Sequence, residues 1–250
     1  MNHVKSLSLA SLASEFASKI SAPPPSTTPL NEWQMERDDG PIFRFIYQHF
    51  QPRRHLEFGT WQGFGTCLCL ESCAATVWTL NLPDGESKSD GSWAYGERVI
   101  DETNAPTGAV RLNFGEDESG PRTYHRTDAG SYIGRLYREK GLGHRVCQIY
   151  CDSQKWDAQA YPPGFFDSVL IDGGHQPEVV ISDTRKAVPL LRSGGVMLWH
   201  DFCPKNEALD HFPVIKDVHI AMKTLLPEIH SQFSQLVWIN PSFILLGIKR

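Results

Sequence analysis

The chain has 250 residues, a length that suits one large domain or one domain with appendages. Apolar residues make up 40% of it and charged residues 21%, so the chain can bury a sizeable core and global disorder is excluded. The net charge of −5 is mild and provides no basic surface for a nucleic-acid partner. No apolar run approaches the roughly 18 residues of a membrane-spanning helix, so no membrane partner is expected either.

Residues 1–30 are predicted to form an N-terminal arm with a Pro-rich linker. Apolar residues recur at roughly helical spacing in residues 1–20, which favours a weak amphipathic helix. The sequence SAPPPSTTP at 21–29 is typical of an extended linker. A mobile arm, a lid and a dimer contact all suit such a segment, so a homodimer is left open.

Residues 31–250 are predicted to form one domain in which strands and helices alternate. Short apolar segments predict the strands, and apolar residues repeating every three or four positions predict the helices. Residues 84–131 are polar and lack periodicity, so they are interpreted as an insertion or a lid. The predicted strands are 55–59, 75–83, 145–153, 166–174, 196–202, 235–240 and 242–249, and the predicted helices are 38–51, 66–73, 133–140, 177–191 and 214–226.

This order of elements predicts an α/β fold of the Rossmann-like type. A doubly wound, mainly parallel sheet of seven strands, with helices on both faces, accounts for the alternation. The last two predicted strands are joined by a very short connection, so they should run antiparallel, which makes the C-terminal strand antiparallel.

Six cysteines lie at positions 67, 69, 73, 147, 151 and 203, and no two of them form a CxxC pair. The spacing does not match a zinc ribbon, so we interpret these cysteines as reduced, buried thiols. The first ten residues contain no continuous apolar segment of the kind that an export signal needs. We therefore expect a cytoplasmic location, where thiols stay reduced.

A glycine-rich segment follows the strand predicted at 55–59. Glu57 lies near the end of this strand and is followed by Gly59, Gly63 and Gly65, ahead of a predicted helix. Ligands of parallel α/β sheets bind beyond the carboxyl ends of the strands, where glycines let the backbone approach a ligand closely. The spacing differs from the dinucleotide motif GxGxxG, and the chain contains neither a P-loop nor a GxSxG nucleophile elbow.

A second group of polar residues ends the strands predicted at 166–174 and 196–202. Asp172 and His175 have the spacing DxxH, and His200 is followed directly by Asp201. A histidine can take a proton near neutral pH, and carboxylates are the oxygen ligands that Mg²⁺ prefers. The two strand ends therefore offer groups for acid–base chemistry and for metal binding.

Together, the two blocks resemble the class I S-adenosylmethionine-dependent methyltransferases. The acid followed by GxxxGxG at 57–65 matches the first motif of that family. The block at 166–202 is similar to the branch that includes macrocin-type small-molecule O-methyltransferases, and the resemblance covers about residues 40–202. It implies an enzyme that uses S-adenosyl-L-methionine (SAM) and transfers a methyl group to a small-molecule acceptor, with a hydroxyl as the favoured acceptor.

The resemblance also implies which residues bind the cofactor. They are Glu57, Gly59, Thr60, Gly63, Gly65, Asn81, Asp152, Ser153 and Asp172. Asn81 stands where relatives usually carry an acid for the ribose hydroxyls. An asparagine can still hydrogen-bond a hydroxyl, but it carries no charge.

By the same resemblance, His175 is the general base, and a Mg²⁺-assisted reaction is left open. The candidate metal ligands are Asp172 and Asp201. His200 is a further candidate, although it replaces a carboxylate that metal-binding relatives carry and Mg²⁺ prefers oxygen.

Two other classes of function remain open from the sequence. A metal-dependent hydrolase built on Asp172, His175 and Asp201 would explain the second group of polar residues but not the glycine segment. A methyltransferase-like module that binds the cofactor without turnover is the non-enzymatic alternative, and Asn81 is the feature that favours it. SAM binding excludes the first alternative, and turnover excludes the second.

Overall fold

The computed structural model describes residues 4–82, 110–113, 122–125 and 133–250. The insertion predicted at 84–131 lies outside the described residues, apart from two four-residue strands within it. Ten strands and seven α-helices are present in the described part. The strands are β1 (Lys5–Ser8), β2 (Arg54–Phe58), β3 (Thr76–Asn81), β4 (Val110–Asn113), β5 (Arg122–His125), β6 (Val146–Tyr150), β7 (Phe166–Ile171), β8 (Leu191–Trp199), β9 (Phe233–Asn240) and β10 (Leu245–Lys249). The α-helices are α1 (Leu12–Glu15), α2 (Gly40–Phe50), α3 (Phe64–Ser72), α4 (Arg135–Glu139), α5 (Pro177–Leu190), α6 (Asn206–Leu209) and α7 (Pro213–Ile229).

The strands form one sheet in the order β1-β9-β10-β8-β7-β2-β3-β6-β5-β4. Seven adjacent strands, from β9 to β6, correspond to the seven predicted from the sequence. Strands β8, β7, β2, β3 and β6 are parallel to one another, and β10 runs antiparallel to both of its neighbours. The predicted fold is therefore confirmed, and the sheet is wider than predicted by β1 at one edge and by β5 and β4 at the other.

The order of the strands makes the sheet doubly wound. Helix α3 connects β2 to β3 in one direction along the sheet, and α5 connects β7 to β8 in the other. Such crossovers are right-handed, so the two helices lie on opposite faces. Helix α3 packs against α2, and α5 packs against α7. The winding reverses between β2 and β7, which is the place where ligands bind in open α/β sheets.

The central strands are buried on both faces, as their continuous apolar sequences predict. In β7, Phe166, Val169, Leu170 and Ile171 are all buried. Strand β8 begins five residues earlier than predicted, because the Ser-Gly-Gly segment expected to end the preceding helix belongs to the strand. This rigid centre carries the loops that follow β2, β7 and β8.

The N-terminal segment differs from its prediction. The weak helix expected over residues 1–20 is wrong at Lys5–Ser8, which pairs in parallel with β9. The helical part is short, and it consists of a 3₁₀ turn at Leu9–Ser11 followed by α1. Leu7, Leu9 and Leu12 are buried against the core. The strand buries Leu7 and satisfies its backbone through β9, and the helical turns that follow bury Leu9 and Leu12.

Within the described part of the chain, every helix is too short or too polar to span a lipid bilayer.

Candidate active site

A crevice of about 640 Å³ lies at the carboxyl ends of the central strands. It opens at the point where the winding reverses between β2 and β7. All the site residues predicted from the sequence line it except Glu57 and Gly63. The lining members are Gly59, Thr60, Gly65, Asn81, Asp152, Ser153, Asp172, His175, His200 and Asp201.

The glycine segment crosses the end of β7 at very short range. Gly59 has φ of +96°, and a Cβ atom placed there would lie 2.0 Å from the carbonyl oxygen of Asp172. The Gly59 N–H donates to the carbonyl of Leu80 at 2.9 Å. Only glycine fits a backbone in this conformation and this close to another strand. Gly59 therefore lets the ends of β2, β3 and β7 come together at the base of the crevice.

Gly63 and Gly65 are needed for different reasons. Gly63 has φ of +91° and begins α3 beside the ring of Tyr137. Gly65 lies above Glu57, and a Cβ atom there would come within 2.4 Å of a carboxyl oxygen of Glu57. The first glycine permits a left-handed turn, and the second leaves room for a buried acid.

Glu57 lies beneath the glycine segment and not in the wall of the crevice. Its side chain is fully buried, and the hydroxyl of Thr66 donates to its Oε2. The pKa of Glu57 is raised to about 8, chiefly by burial and to a smaller extent by the nearby Asp172, against the hydrogen bonds from Thr66 and Thr79 that lower it. Glu57 is therefore placed to support the glycine segment from below.

Thr60 and Asn81 also hold the floor of the crevice together. The Thr60 hydroxyl is 2.7 Å from that of Thr79 and accepts from Nε2 of Gln148 at 2.8 Å. Asn81 Oδ1 accepts the backbone N–H of Trp61 at 2.9 Å. The asparagine that stands in the usual place of an acid thus fixes the glycine segment.

Asp152 and Ser153 follow β6 at the other side of the crevice. Asp152 Oδ1 accepts the backbone N–H of Gln154 at 2.9 Å, so this carboxylate stabilises its own turn while facing the crevice. The carbonyl of Ser153 accepts from the amino group of Lys186 at 2.6 Å. Both residues are part of a fixed loop.

The polar residues that follow β7 and β8 form a carboxylate–imidazole cluster. His175 Nε2 is 2.8 Å from Asp201 Oδ2, and His200 Nδ1 is 2.8 Å from Asp172 Oδ1. Asp201 is buried and has φ of +56°, a left-handed conformation that costs about 1–3 kcal/mol in a residue other than glycine. Strain of this kind clusters at functional sites because the surrounding structure must enforce it.

The carboxylates of this cluster raise the pKa values of both histidines. Burial lowers the pKa of His175, but Asp201 and Asp172 outweigh it and hold that pKa above its ordinary value. The same balance holds for His200, whose pKa is raised well above the ordinary value by Asp172 and Asp201 against burial. Burial raises the pKa of Asp201, and the two histidines outweigh it, so that pKa is lowered.

Three of these residues could hold a cation. One ligand atom each from Asp172, His175 and Asp201 lies within 4.8 Å of the others. Oδ1 of Asp201 is buried and has no hydrogen-bond partner among the described residues. The candidate His200 ligand does not fit, because both of its ring nitrogens face carboxylates, Asp172 at 2.8 Å and Asp39 at 3.1 Å. The structure offers His175 in its place.

Comparison with protein families decides the class of protein. A family model described as "Methyltransferase domain" matches residues 56–202, which include the glycine segment and both strand ends of the cluster. The chain belongs to this methyltransferase family. The resemblance to class I methyltransferases predicted from the sequence is thereby confirmed. No curated protein sequence matches the chain.

Solved structures of other methyltransferases share the fold. An O-methyltransferase from Bacillus cereus in complex with SAH is 17% identical, with a TM-score of 0.50 over 84% of this chain and 80% of that one. A SAH-bound methyltransferase from Podospora anserina is 13% identical, with a TM-score of 0.50 over 86% of this chain and 79% of that one. At these sequence identities the similarity establishes the fold of this methyltransferase but not its substrate or its site residues.

Two buried acids of the methyltransferase site are not among the candidate site residues predicted from the sequence. Asp39 is fully buried and faces His200, although 161 positions separate the two in the chain. No local pattern marks such a pair. Asp183 lies on α5, is buried and lines the crevice. The resemblance already marks Asp183 as the internal acid of the helix in the block at 166–202, but it assigns the residue no role in the site.

Replacing Gly59 by alanine tests the close approach of β2 and β7. The new Cβ would overlap the carbonyl of Asp172, so Gly59→Ala should lower the free energy of unfolding by about 3 kcal/mol or more. Gly141→Ala is the matched control, since Gly141 has φ of +70° but nothing within 4 Å of the new Cβ. It should cost only about 1–2 kcal/mol. Equal losses in urea denaturation would contradict the close approach.

The raised pKa of Glu57 predicts a pH dependence of stability. Because the folded pKa of about 8 exceeds the ordinary 4.5, the folded chain binds the proton more tightly. The proton on Glu57 contributes fully to the free energy of unfolding below pH 4.5. This contribution, on the order of several kcal/mol, is lost as the pH rises through 8. Glu57→Gln stays neutral, so its denaturant midpoint should fall less than that of the wild type between about pH 6 and 9.

The exposed Glu139 provides a control for this comparison. Glu139→Gln should follow the wild-type pH profile. Parallel profiles for the wild type and Glu57→Gln would show that the buried carboxyl does not bind its proton in this way.

Proposed function

We propose that this methyltransferase transfers a methyl group from SAM to a hydroxyl of a small molecule, with His175 as general base. The observation that carries the proposal is the His175–Asp201 pair at 2.8 Å, placed in the same crevice as the glycine segment. An oriented base and the glycine segment that would bind the cofactor then share one crevice, as an O-methyl transfer needs.

The crevice fits SAM in shape and charge. Gly59 and Gly65 leave open backbone where a side chain would protrude, and the volume of about 640 Å³ suits a ligand of this size. Both solved relatives described above hold SAH, the product that SAM leaves behind. When bound, SAM supplies a methyl group on a positively charged sulfur.

The chain's own residues supply the proton acceptor. With Nε2–H of His175 donating to Asp201, the lone pair on Nδ1 remains for an acceptor hydroxyl. Asp201 fixes the ring and stabilises the positive charge that His175 gains when it takes the proton. The pKa of His175 is raised, so the neutral base is populated only above that raised value, and the rate should increase as the pH rises through it.

A divalent cation is a second feature of the proposal. Asp172, His175 and Asp201 could hold Mg²⁺, which would lower the pKa of an acceptor hydroxyl. The unpartnered Oδ1 of Asp201 supports this, and the imidazole in the set weakens the fit because Mg²⁺ prefers oxygen. A cation at this trio would also compete with the His175–Asp201 hydrogen bond.

The direct test is transfer of a labelled methyl group. The wild-type protein is incubated with methyl-labelled SAM and a panel of catechols, phenols and glycosides, with Mg²⁺ and again with EDTA. Labelled product with Mg²⁺ alone supports the metal-assisted reaction, and product in both supports His175 acting without a cation. Binding of SAM without transfer to any acceptor supports the non-catalytic module. Strict metal dependence without SAM binding supports the hydrolase.

His175→Gln separates the base from the binding site. Glutamine cannot act as a base, so transfer should fall about 10²–10⁴-fold, while the dissociation constant for SAM in calorimetry should change little. His144→Gln is the matched control, because His144 is exposed and lies away from the crevice residues. Transfer at the wild-type rate by His175→Gln would exclude His175 as the base.

A further inference from the structure

Two cysteine thiols meet at the C-terminal end of α3. Cys69 lies in the last turn of the helix and is fully buried, whereas Cys73 caps the helix and is half-buried. Their sulfur atoms are 3.8 Å apart, and the Cys73 thiol also donates to the carbonyl of Cys69 at 3.2 Å. The spacing of four residues brings them together, because residues four apart lie on the same face of a helix. The pair therefore combines a buried thiol with one that is partly open to solvent.

A guanidinium group caps the same helix end. The Arg145 side chain donates to backbone carbonyls at 2.6–2.9 Å, and these belong to Leu70, Cys73 and Ala75. The carbonyls at the end of a helix disfavour a nearby negative charge, and a guanidinium that stays protonated at any ordinary pH offsets them. Arg145 thus provides a permanent positive charge beside Cys73.

These surroundings favour the thiolate form of Cys73. Its pKa is lowered to about 7, chiefly by the hydrogen bond with the Cys69 thiol, which outweighs the opposing effect of burial. The backbone N–H of Ala75 and the charge of Arg145 lower this pKa further. Burial raises the pKa of Cys69 well above its ordinary value, so that thiol keeps its proton. Partly exposed cysteines in electropositive surroundings are the reactive ones, which singles out Cys73 as the nucleophile of the pair.

We propose that Cys73 and Cys69 form a thiol–disulfide exchange site for low-molecular-weight disulfides. The Cys73 thiolate attacks one sulfur of the disulfide, forms a mixed disulfide and releases the other half as a thiolate, which takes up the proton that Cys73 lost to solvent. Cys69 then attacks the Cys73 sulfur, and its proton passes to the second thiolate that leaves. Two protein thiols are thereby oxidised to one internal disulfide, and one small disulfide is reduced to two thiols.

The position of Cys73 lets the two sulfurs approach each other. They must close from 3.8 Å to the bonding distance of about 2.05 Å. Cys73 lies one residue beyond α3 and has extended backbone, with φ of −153°, so the last turn can adjust without unwinding the rest of the helix. The other end of α3 carries Phe64 and Gly65, which line the crevice. The pair is therefore separate from the crevice, and the inference does not depend on the proposed function.

Incubation of the reduced wild-type protein with excess glutathione disulfide tests the proposal. After an acid quench and denaturation, free thiols are alkylated and located by peptide mass spectrometry. We expect Cys69 and Cys73 to escape alkylation as an internal disulfide, and dithiothreitol to restore both thiols. Cys147 is also half-buried, but burial raises its pKa, so it should be alkylated in full. Alkylation of both Cys69 and Cys73 would overturn the proposal, and a lasting glutathionyl group on Cys73 would exclude the second step.

Cys69→Ala separates the two steps. Cys73 should then keep one glutathionyl group, formed less than about tenfold more slowly than the wild-type disulfide, because a thiolate of higher pKa is scarcer but more nucleophilic. Cys73→Ala should take up no glutathionyl group at the buried Cys69.

Cys147→Ala is the matched control and should form the internal disulfide as the wild type does. Folded Cys69→Ala without a glutathionyl group, or Cys73→Ala with one on Cys69, would overturn the roles of the two thiols. If Cys69→Ala does not fold, the wild type and Cys73→Ala decide between these outcomes.

Discussion

The ends of β2 and β7 come so close together that no side chain fits between Gly59 and the carbonyl of Asp172. The rest of the site depends on this contact. It lets the glycine segment cross from β2 over the sheet, and it brings the residues that follow β7 to the same floor. Without it, the glycine segment and the carboxylate–imidazole cluster would belong to separate surfaces. The winding of the sheet makes the contact possible, because the two strands are neighbours from which the chain departs in opposite directions.

The cluster beyond this contact combines buried charge with strain. Asp201 adopts a left-handed backbone, and Asp39 is fully buried with a histidine as its charged partner. Buried carboxylates are costly unless donors surround them, and His175 and His200 provide those donors. The buried apolar side chains of β7 and β8 stabilise the fold and offset these costs. The arrangement places the His175–Asp201 pair and the His200–Asp172 pair side by side in the crevice.

Much of this site can be predicted from the order of the strands alone. The strand ends of a parallel sheet meet at one edge, so the sequence already places Asp172, His175, His200 and Asp201 together. The contact between Asp39 and His200 cannot be predicted in this way, because it joins distant segments and follows no local period.

The N-terminal arm shows how a periodic pattern can mislead. Over residues 1–20 the apolar positions fit a helix, yet Lys5–Ser8 forms a strand. Leu7 is the one apolar residue of this strand, and the edge of β9 provides the backbone partners that a local pattern does not reveal.

The central claim is that SAM binds over the glycine segment at the junction of β2 and β7. Amide hydrogen exchange measured with and without SAH tests it most directly, since SAH occupies the same place without reacting. The account predicts slower exchange at residues 59–66 and 172–176 when SAH is bound, with little change in β1 and β9 at the far edge of the sheet. Binding of SAH with protection elsewhere in the chain, and none at these two segments, would contradict the account.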